Sequence, residues 1–122
     1  MSTTTERSND CFDPRRSNSS PDALASFIRS PLVKDITSVP GIGKENKKIL
    51  KKDGIHTTHQ LIGKILSLSE EDTDSVELCD KFYFWLQSIG VSAYRGSIVS
   101  AIAEKLNLLV PNMYDSEAYN NL

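Results

Sequence analysis

The segment Val39-Pro40-Gly41-Ile42-Gly43 constrains the fold of this chain more than any other. Pro40 fixes φ and favours a tight turn, while the two glycines permit positive φ and carry no Cβ atom that would keep another backbone away. A helix is predicted to begin directly afterwards, at about Gly43, so that the free N–H groups of its first turn point out of the loop. Because such helix starts bind phosphate, the segment predicts either a phosphate-binding hairpin or, more simply, a tight turn between two helices.

The predicted helix after this turn is basic along one face. Its lysines are spaced by three and four residues, at Lys44, Lys47, Lys48, Lys51 and Lys52. Each like-charged pair four residues apart costs about 0.2–0.5 kcal/mol, and lysines in the first turn also oppose the helix dipole. A solvated lysine face is common on surface helices. Beside a glycine-rich anion loop, however, a polyanionic partner explains the arrangement better.

The whole-chain charge of −2 over 122 residues by itself argues against a nucleic-acid partner. The charge is, however, divided between two opposed patches. The net charge is +4 over residues 44–52 and −6 over residues 70–80. Only the basic patch lies beside the glycine turn, so the sequence predicts a small, local anion footprint with a modest salt dependence.

Helical periodicity elsewhere predicts an all-α domain, a compact bundle of five to six short helices, because no segment alternates apolar and polar residues as a strand does. Its predicted helix starts are Ser20 with Pro21, Asp35, Gly43, Thr57 or Thr58, a point within the acidic stretch, and Ser92. Three predicted helices have apolar residues at helical spacing that should face inward. These are Leu61, Ile62, Ile65, Leu66 and Leu68 in the first, Val76, Cys79, Phe82, Leu86 and Ile89 in the second, and Ile98, Ile102, Leu106 and Leu109 in the third.

The folded unit is predicted to span residues 21–109. Residues 1–20 form a Ser/Thr-rich tail with few large apolar side chains, so we expect disorder there. We expect residues 110–122 to be a flexible tail, although Met113, Tyr114 and Tyr119 are able to dock.

Other classes of protein find little support in the sequence. Two cysteines cannot build a disulfide framework or a Cys-rich zinc site, and His56 and His59 are interpreted as surface residues, so no metal or cofactor is expected. No Ser/His/Asp grouping, paired-carboxylate motif or P-loop indicates an enzyme. No apolar stretch approaches the roughly 20 residues of a membrane span, and none follows the first Met as a signal would. We therefore expect a soluble, intracellular protein without membrane insertion.

Residues 36–54 resemble a helix-hairpin-helix DNA-binding motif, and the order of elements over about 22–106 resembles the barrier-to-autointegration factor family. The resemblance continues outside the hairpin in Phe27, Ile28, Pro31, Leu61, Gly63, Ile65, Leu66, Leu68, Phe82, Trp85, Leu86, Gly90 and Ala93. It implies a SAM-like fold with a second, degenerate hairpin. It also implies sequence-independent binding of double-stranded DNA through phosphates, by a homodimer that bridges or compacts DNA. The implied location is the nucleus, with the cytoplasm as a second compartment. LEM-domain or other nuclear proteins are the candidate protein partners that it implies.

The resemblance implies two main DNA contacts. The first comprises Gly41, Ile42, Gly43, Lys44, Lys47 and Lys48, and the second comprises Ser92, Ala93, Tyr94 and Arg95. The N-terminus of the first helix, at residues 20–22, is a third candidate, although Asp22 would repel phosphate. The second contact departs from the family because only Arg95 is charged there. The alternative function is a helical protein-interaction module that binds no nucleic acid.

Overall fold

The computed structural model describes residues 11–16 and 20–121, and within them the chain forms five α-helices and no β-strand. The helices are α1 (Pro21–Arg29), α2 (Lys44–Lys52), α3 (Thr58–Ser67), α4 (Ser75–Ser88) and α5 (Arg95–Leu109). Short 3₁₀ turns lie at Pro14–Arg16, Ile36–Ser38 and Ser116–Asn121. The predicted all-α fold is confirmed. Residues 1–10 and 17–19 of the predicted N-terminal tail lie outside the described residues, as does Leu122.

Most of the helices begin at an N-cap residue whose side chain accepts a hydrogen bond from an amide of the first turn. The Ser20 hydroxyl accepts a hydrogen bond from the Ala23 amide at the start of α1, as predicted. Of the two threonines considered for α3, Thr57 is the cap, and it forms a capping box with Gln60. Asp74 caps α4 through the amide of Glu77.

The predicted cap of the last helix is wrong. Helix α5 begins at Arg95, its N-cap is Tyr94, and Ser92 lies exposed in the preceding loop. The loop is longer than predicted because Val91 is buried and donates its amide to the Leu86 carbonyl at 2.9 Å, which closes the end of α4 before the chain turns.

The core surrounds α5, which is buried on nearly every side over its first three turns and packs against α1 and α4. Two residues predicted to face inward are exposed, Leu66 and Leu109. Leu66 lies at the flank of α3, whose buried stripe runs through residues 61, 62 and 65. Leu109 is in the last turn of α5, which extends beyond the helices that cover the rest of α5.

The packed unit extends beyond the predicted bounds of 21 and 109. Phe12 is 1% exposed, and its ring meets Tyr119 edge-on at 5.8 Å between centroids. Tyr119 and Tyr114 are also buried. Composition missed these contacts because it averages over a segment, whereas a single aromatic side chain can dock a polar segment onto the core.

Lys105 holds the end of α1 against α5. Its buried ammonium group donates hydrogen bonds to the carbonyl oxygens of Phe27 at 3.0 Å, Ile28 at 2.9 Å and Ser30. These carbonyls belong to the C-terminal end of α1, where helical acceptors lack intrahelical partners. Burial lowers the pKa of Lys105. The contact fixes the direction of α1 and therefore the position of Ser20 at its other end.

Candidate nucleic-acid interface

The glycine hairpin (residues 39–43) is packed tightly against the start of α5. Gly41 has φ of +96°, and a Cβ atom there would lie 2.9 Å from Ile98 Cγ1 and 3.1 Å from the Tyr94 carbonyl oxygen. Ile42 is buried in the core, and its amide donates to the Val39 carbonyl at 3.0 Å. The two features hold the turn in one conformation on the body of the protein.

Gly41→Ala is expected to destabilise the fold by about 2–3 kcal/mol, because it adds a backbone clash to the strain of positive φ. Gly54→Ala is the matched control. Gly54 also has positive φ, at +84°, but a Cβ atom there meets nothing within 4 Å. It should therefore cost only about 1 kcal/mol. Urea denaturation measures both values, and equal losses would show that the close approach to α5 does not constrain the hairpin.

Helix α2 starts at the hairpin without a side-chain cap. Gly43 is the N-cap, and the first intrahelical hydrogen bond runs from the Lys47 amide to the Gly43 carbonyl at 2.9 Å. The N–H groups before Lys47 therefore have no acceptor within the helix. The lysines of the basic face are all exposed, at Lys44, Lys47, Lys48, Lys51 and Lys52.

The second hairpin (residues 90–95) presents little charge. Ser92, Ala93 and Tyr94 are exposed, Tyr94 to 64%. Tyr94 also adopts the left-handed conformation, with φ of 64°, which is rare for an aromatic residue. Arg95 folds inward instead, and its guanidinium carbon lies 4.4 Å from the centroid of the Tyr83 ring. The buried Nε and Nη1 atoms of Arg95 have no hydrogen-bond partner in the described part of the chain.

Asn46 joins the two hairpins. Its side-chain amide donates to the carbonyl oxygens of Gly41 and Ala93, each at 3.0 Å, and the residue is buried. Asn46 is not among the residues that the sequence predicts for either contact. The available signal was its spacing, because Asn46 precedes Ile49 and Leu50 by three and four residues and so lies on the apolar face of a basic helix. A polar residue on such a face requires hydrogen-bond partners.

The N-caps of three helices line one groove, the N-cap groove. Its volume is about 780 Å³, and Ser20 of α1, Gly43 of α2 and Tyr94 of α5 all lie along it. The groove thus takes in the turn of the first predicted contact, Tyr94 of the second and Ser20 of the third. Its lining does not include the three predicted lysines or Ser92, Ala93 and Arg95. Asp22 is exposed in the first turn of α1, two residues after the N-cap Ser20 that lines this groove.

Other kinds of site are not visible in the described residues. No group of three or more His, Cys, Asp and Glu side chains there is placed to hold a metal ion, and His56 and His59 are exposed. Within the same ranges, no helix has the length and apolar character that crossing a membrane requires.

A family model described as Barrier to autointegration factor matches residues 19–102, more than half of the chain. The chain belongs to the barrier-to-autointegration factor family. The match confirms the predicted family and includes both hairpins and the three N-caps of the groove. The barrier-to-autointegration factor family is a non-enzymatic DNA-binding family associated with the nucleus and chromatin. The comparisons with curated proteins and with solved structures each gave no match.

Proposed function

We propose that this protein is a non-enzymatic, sequence-independent binder of double-stranded DNA, which acts in the nucleus as a homodimer that bridges or compacts duplexes. One observation carries the proposal: three helix N-caps converge on the N-cap groove, and the exposed lysines of α2 follow directly after one of them. Backbone N–H groups and lysines at helix starts bind phosphate oxygens. Such contacts position a duplex without reading its bases, which favours binding to any sequence.

The glycine hairpin makes the main contact in this proposal. The amides of Gly41 and Gly43 face the phosphates of one strand, while Ile42, whose amide donates to the Val39 carbonyl, anchors the turn in the core. Lys44, Lys47 and Lys48 supply the positive charge on the exposed side of α2. Asn46 holds this hairpin to the second one, so both engage the same duplex as a rigid pair.

The second hairpin makes a weaker contact. Ser92 and Ala93 are exposed and offer backbone groups, while the inward position of Arg95 leaves its charge beneath the loop. A charge below the surface still adds to the local positive potential, although it does not bind a phosphate directly.

The acidic residues 70–80 lie at the link between α3 and α4 and in the first two turns of α4. Lys81 partly neutralises them through Glu70 at 2.9 Å and Glu77 at 3.8 Å. Physiological salt screens solvent-exposed charges over about 8–10 Å, so only acidic residues within that distance of a bound phosphate oppose DNA.

Fluorescence anisotropy with duplexes of unrelated sequence tests the proposal. We expect the dissociation constants to agree within about 3-fold, because phosphate contacts carry no base information. A strong preference for one sequence would contradict sequence-independent binding. No binding to any duplex at low salt would favour the alternative, a helical protein-interaction module.

Light scattering of the protein with and without DNA tests the homodimer and the bridging of duplexes. We expect a dimer that takes up two short duplexes per particle, since bridging needs two DNA faces. A monomer that binds a single duplex would contradict bridging while leaving DNA binding intact. LEM-domain proteins and other nuclear proteins are further candidate partners, which pull-down with the purified dimer would test.

A further inference from the structure

The segment formed by residues 11–16 packs beside the second hairpin. A cavity of about 340 Å³ separates them, lined on one side by Asp13 and Arg16 and on the other by Ser92, Tyr94 and Arg95. The segment precedes the range 19–102 that the family model matches. This chain therefore places additional residues next to the hairpin that has the least charge of its own.

Phe12 anchors the segment. Its side chain is buried between Tyr119 and Tyr83, with ring centroids at 5.8 and 6.4 Å. Burial of an aromatic side chain contributes about 1.5–3 kcal/mol, which is enough to hold a short segment in place.

Asp13 orders two arginine side chains on this anchored segment. Arg15 donates to the two carboxylate oxygens from Nε at 2.9 Å and from Nη2 at 2.7 Å, and Arg16 Nη1 lies 3.6 Å from Oδ2. Arg16 Nη2 also donates to the Cys11 carbonyl at 2.9 Å. The side chains of Arg15 and Arg16 are 51% and 41% exposed, while that of Asp13 is 3% exposed.

The charge of this arrangement is positive at the surface. Two arginines outnumber one buried carboxylate, and the bidentate pair with Asp13 occupies only one edge of the Arg15 guanidinium. Guanidinium groups held in place bind phosphate well because their planar donors match its oxygens and little side-chain freedom is lost on binding.

We propose that Arg15 and Arg16 bind phosphates of the same duplex that the two hairpins engage, and that they supply the positive charge that the second hairpin lacks. This inference rests on the proposed function, because it assigns a further contact to the same DNA. The ligand is the phosphate backbone of a duplex, and the contact carries no base preference.

The test compares Asp13→Asn with the triple variant Asp13→Asn/Arg15→Gln/Arg16→Gln in the full chain. Both variants lack the buried carboxylate, so neither contains a buried charge that has lost its arginine partners. The two variants differ only in Arg15 and Arg16. We expect the triple variant to bind a duplex about 10- to 50-fold more weakly near physiological salt. The slope of log K against log salt should also become about 2 less steep, since two phosphate contacts are lost.

Lys64→Gln is the control for general charge, because Lys64 lies in α3 against Trp85 and lines neither the N-cap groove nor the cavity beside residues 11–16. It should change affinity by less than about 2-fold. Equal slopes for the wild type and the triple variant would overturn the inference while leaving the proposed function standing. If wild type and Asp13→Asn both fail to bind duplex DNA at low salt, the proposed function and this inference both fail.

A second variant, Phe12→Ser, tests whether the docked position of Arg15 and Arg16 matters in addition to their charge. It keeps both arginines but removes the anchor, so we expect it to lose most of the affinity that the triple variant loses. Circular dichroism verifies that the helices persist. Full affinity in a folded Phe12→Ser protein would contradict a role for the docked segment.

Discussion

Gly43→Glu is expected to weaken duplex binding by about 100-fold near physiological salt while the helices stay folded. Gly43 is exposed, its φ of −96° suits any residue, and a Cβ atom there meets nothing within 4 Å. The glutamate therefore fits the fold. Its carboxylate even favours the start of α2, where the helix dipole is positive. The same carboxylate occupies the place proposed for a phosphate and repels it.

Gly43→Gln is the matched control, because glutamine has the same size without the charge. It should lose no more than about 10-fold in affinity, through crowding of the turn. Anisotropy measures binding, and urea denaturation measures the free energy of unfolding, which should not fall for the glutamate variant. Full affinity in Gly43→Glu would exclude the glycine hairpin from the DNA interface.

The combined change of Lys44, Lys47 and Lys48 to Gln should lower duplex affinity by about 100- to 1,000-fold near physiological salt, since each lost phosphate contact costs nearly one unit of salt slope. The fold should become slightly more stable. The Lys44/Lys48 pair, four residues apart, repels by about 0.2–0.5 kcal/mol in the wild type. A gain in stability with a loss of binding is what a functional lysine face predicts.

Lys51→Gln/Lys52→Gln is the control on the same helix. These lysines are exposed but lie in the last turn of α2, further from the glycine hairpin. Per charge removed, their loss should weaken binding less than that of the first three. If all five lysines contribute equally, DNA is held by the general charge of α2 rather than by its N-terminal end.

Local signals in the sequence were sufficient for most of the fold. The glycine hairpin, the caps Ser20 and Thr57 and the end of α4 before Gly90 each depend on residues within a few positions of one another. Propensities and turn chemistry act over that distance, so they can be recognised without tertiary information.

Contacts between segments that are distant in sequence could not be predicted from local sequence patterns. Arg95 turns inward because Tyr83 of α4 lies beneath it, and Phe12 is buried because Tyr119 reaches it from the other end of the chain. Tyr94 replaces Ser92 as N-cap since the loop length depends on how Val91 fits the core. These outcomes depend on packing between segments distant in sequence, and no local pattern encodes it.

The salt dependence of duplex binding by the wild-type protein shows whether phosphate contacts at the hairpins hold DNA. We expect log K to fall linearly with log salt, with a slope of about −3 to −5 for three lysines and two arginines. We expect the same slope for duplexes of unrelated sequence. An affinity that does not change with salt, or an absence of binding at low salt, would contradict this expectation.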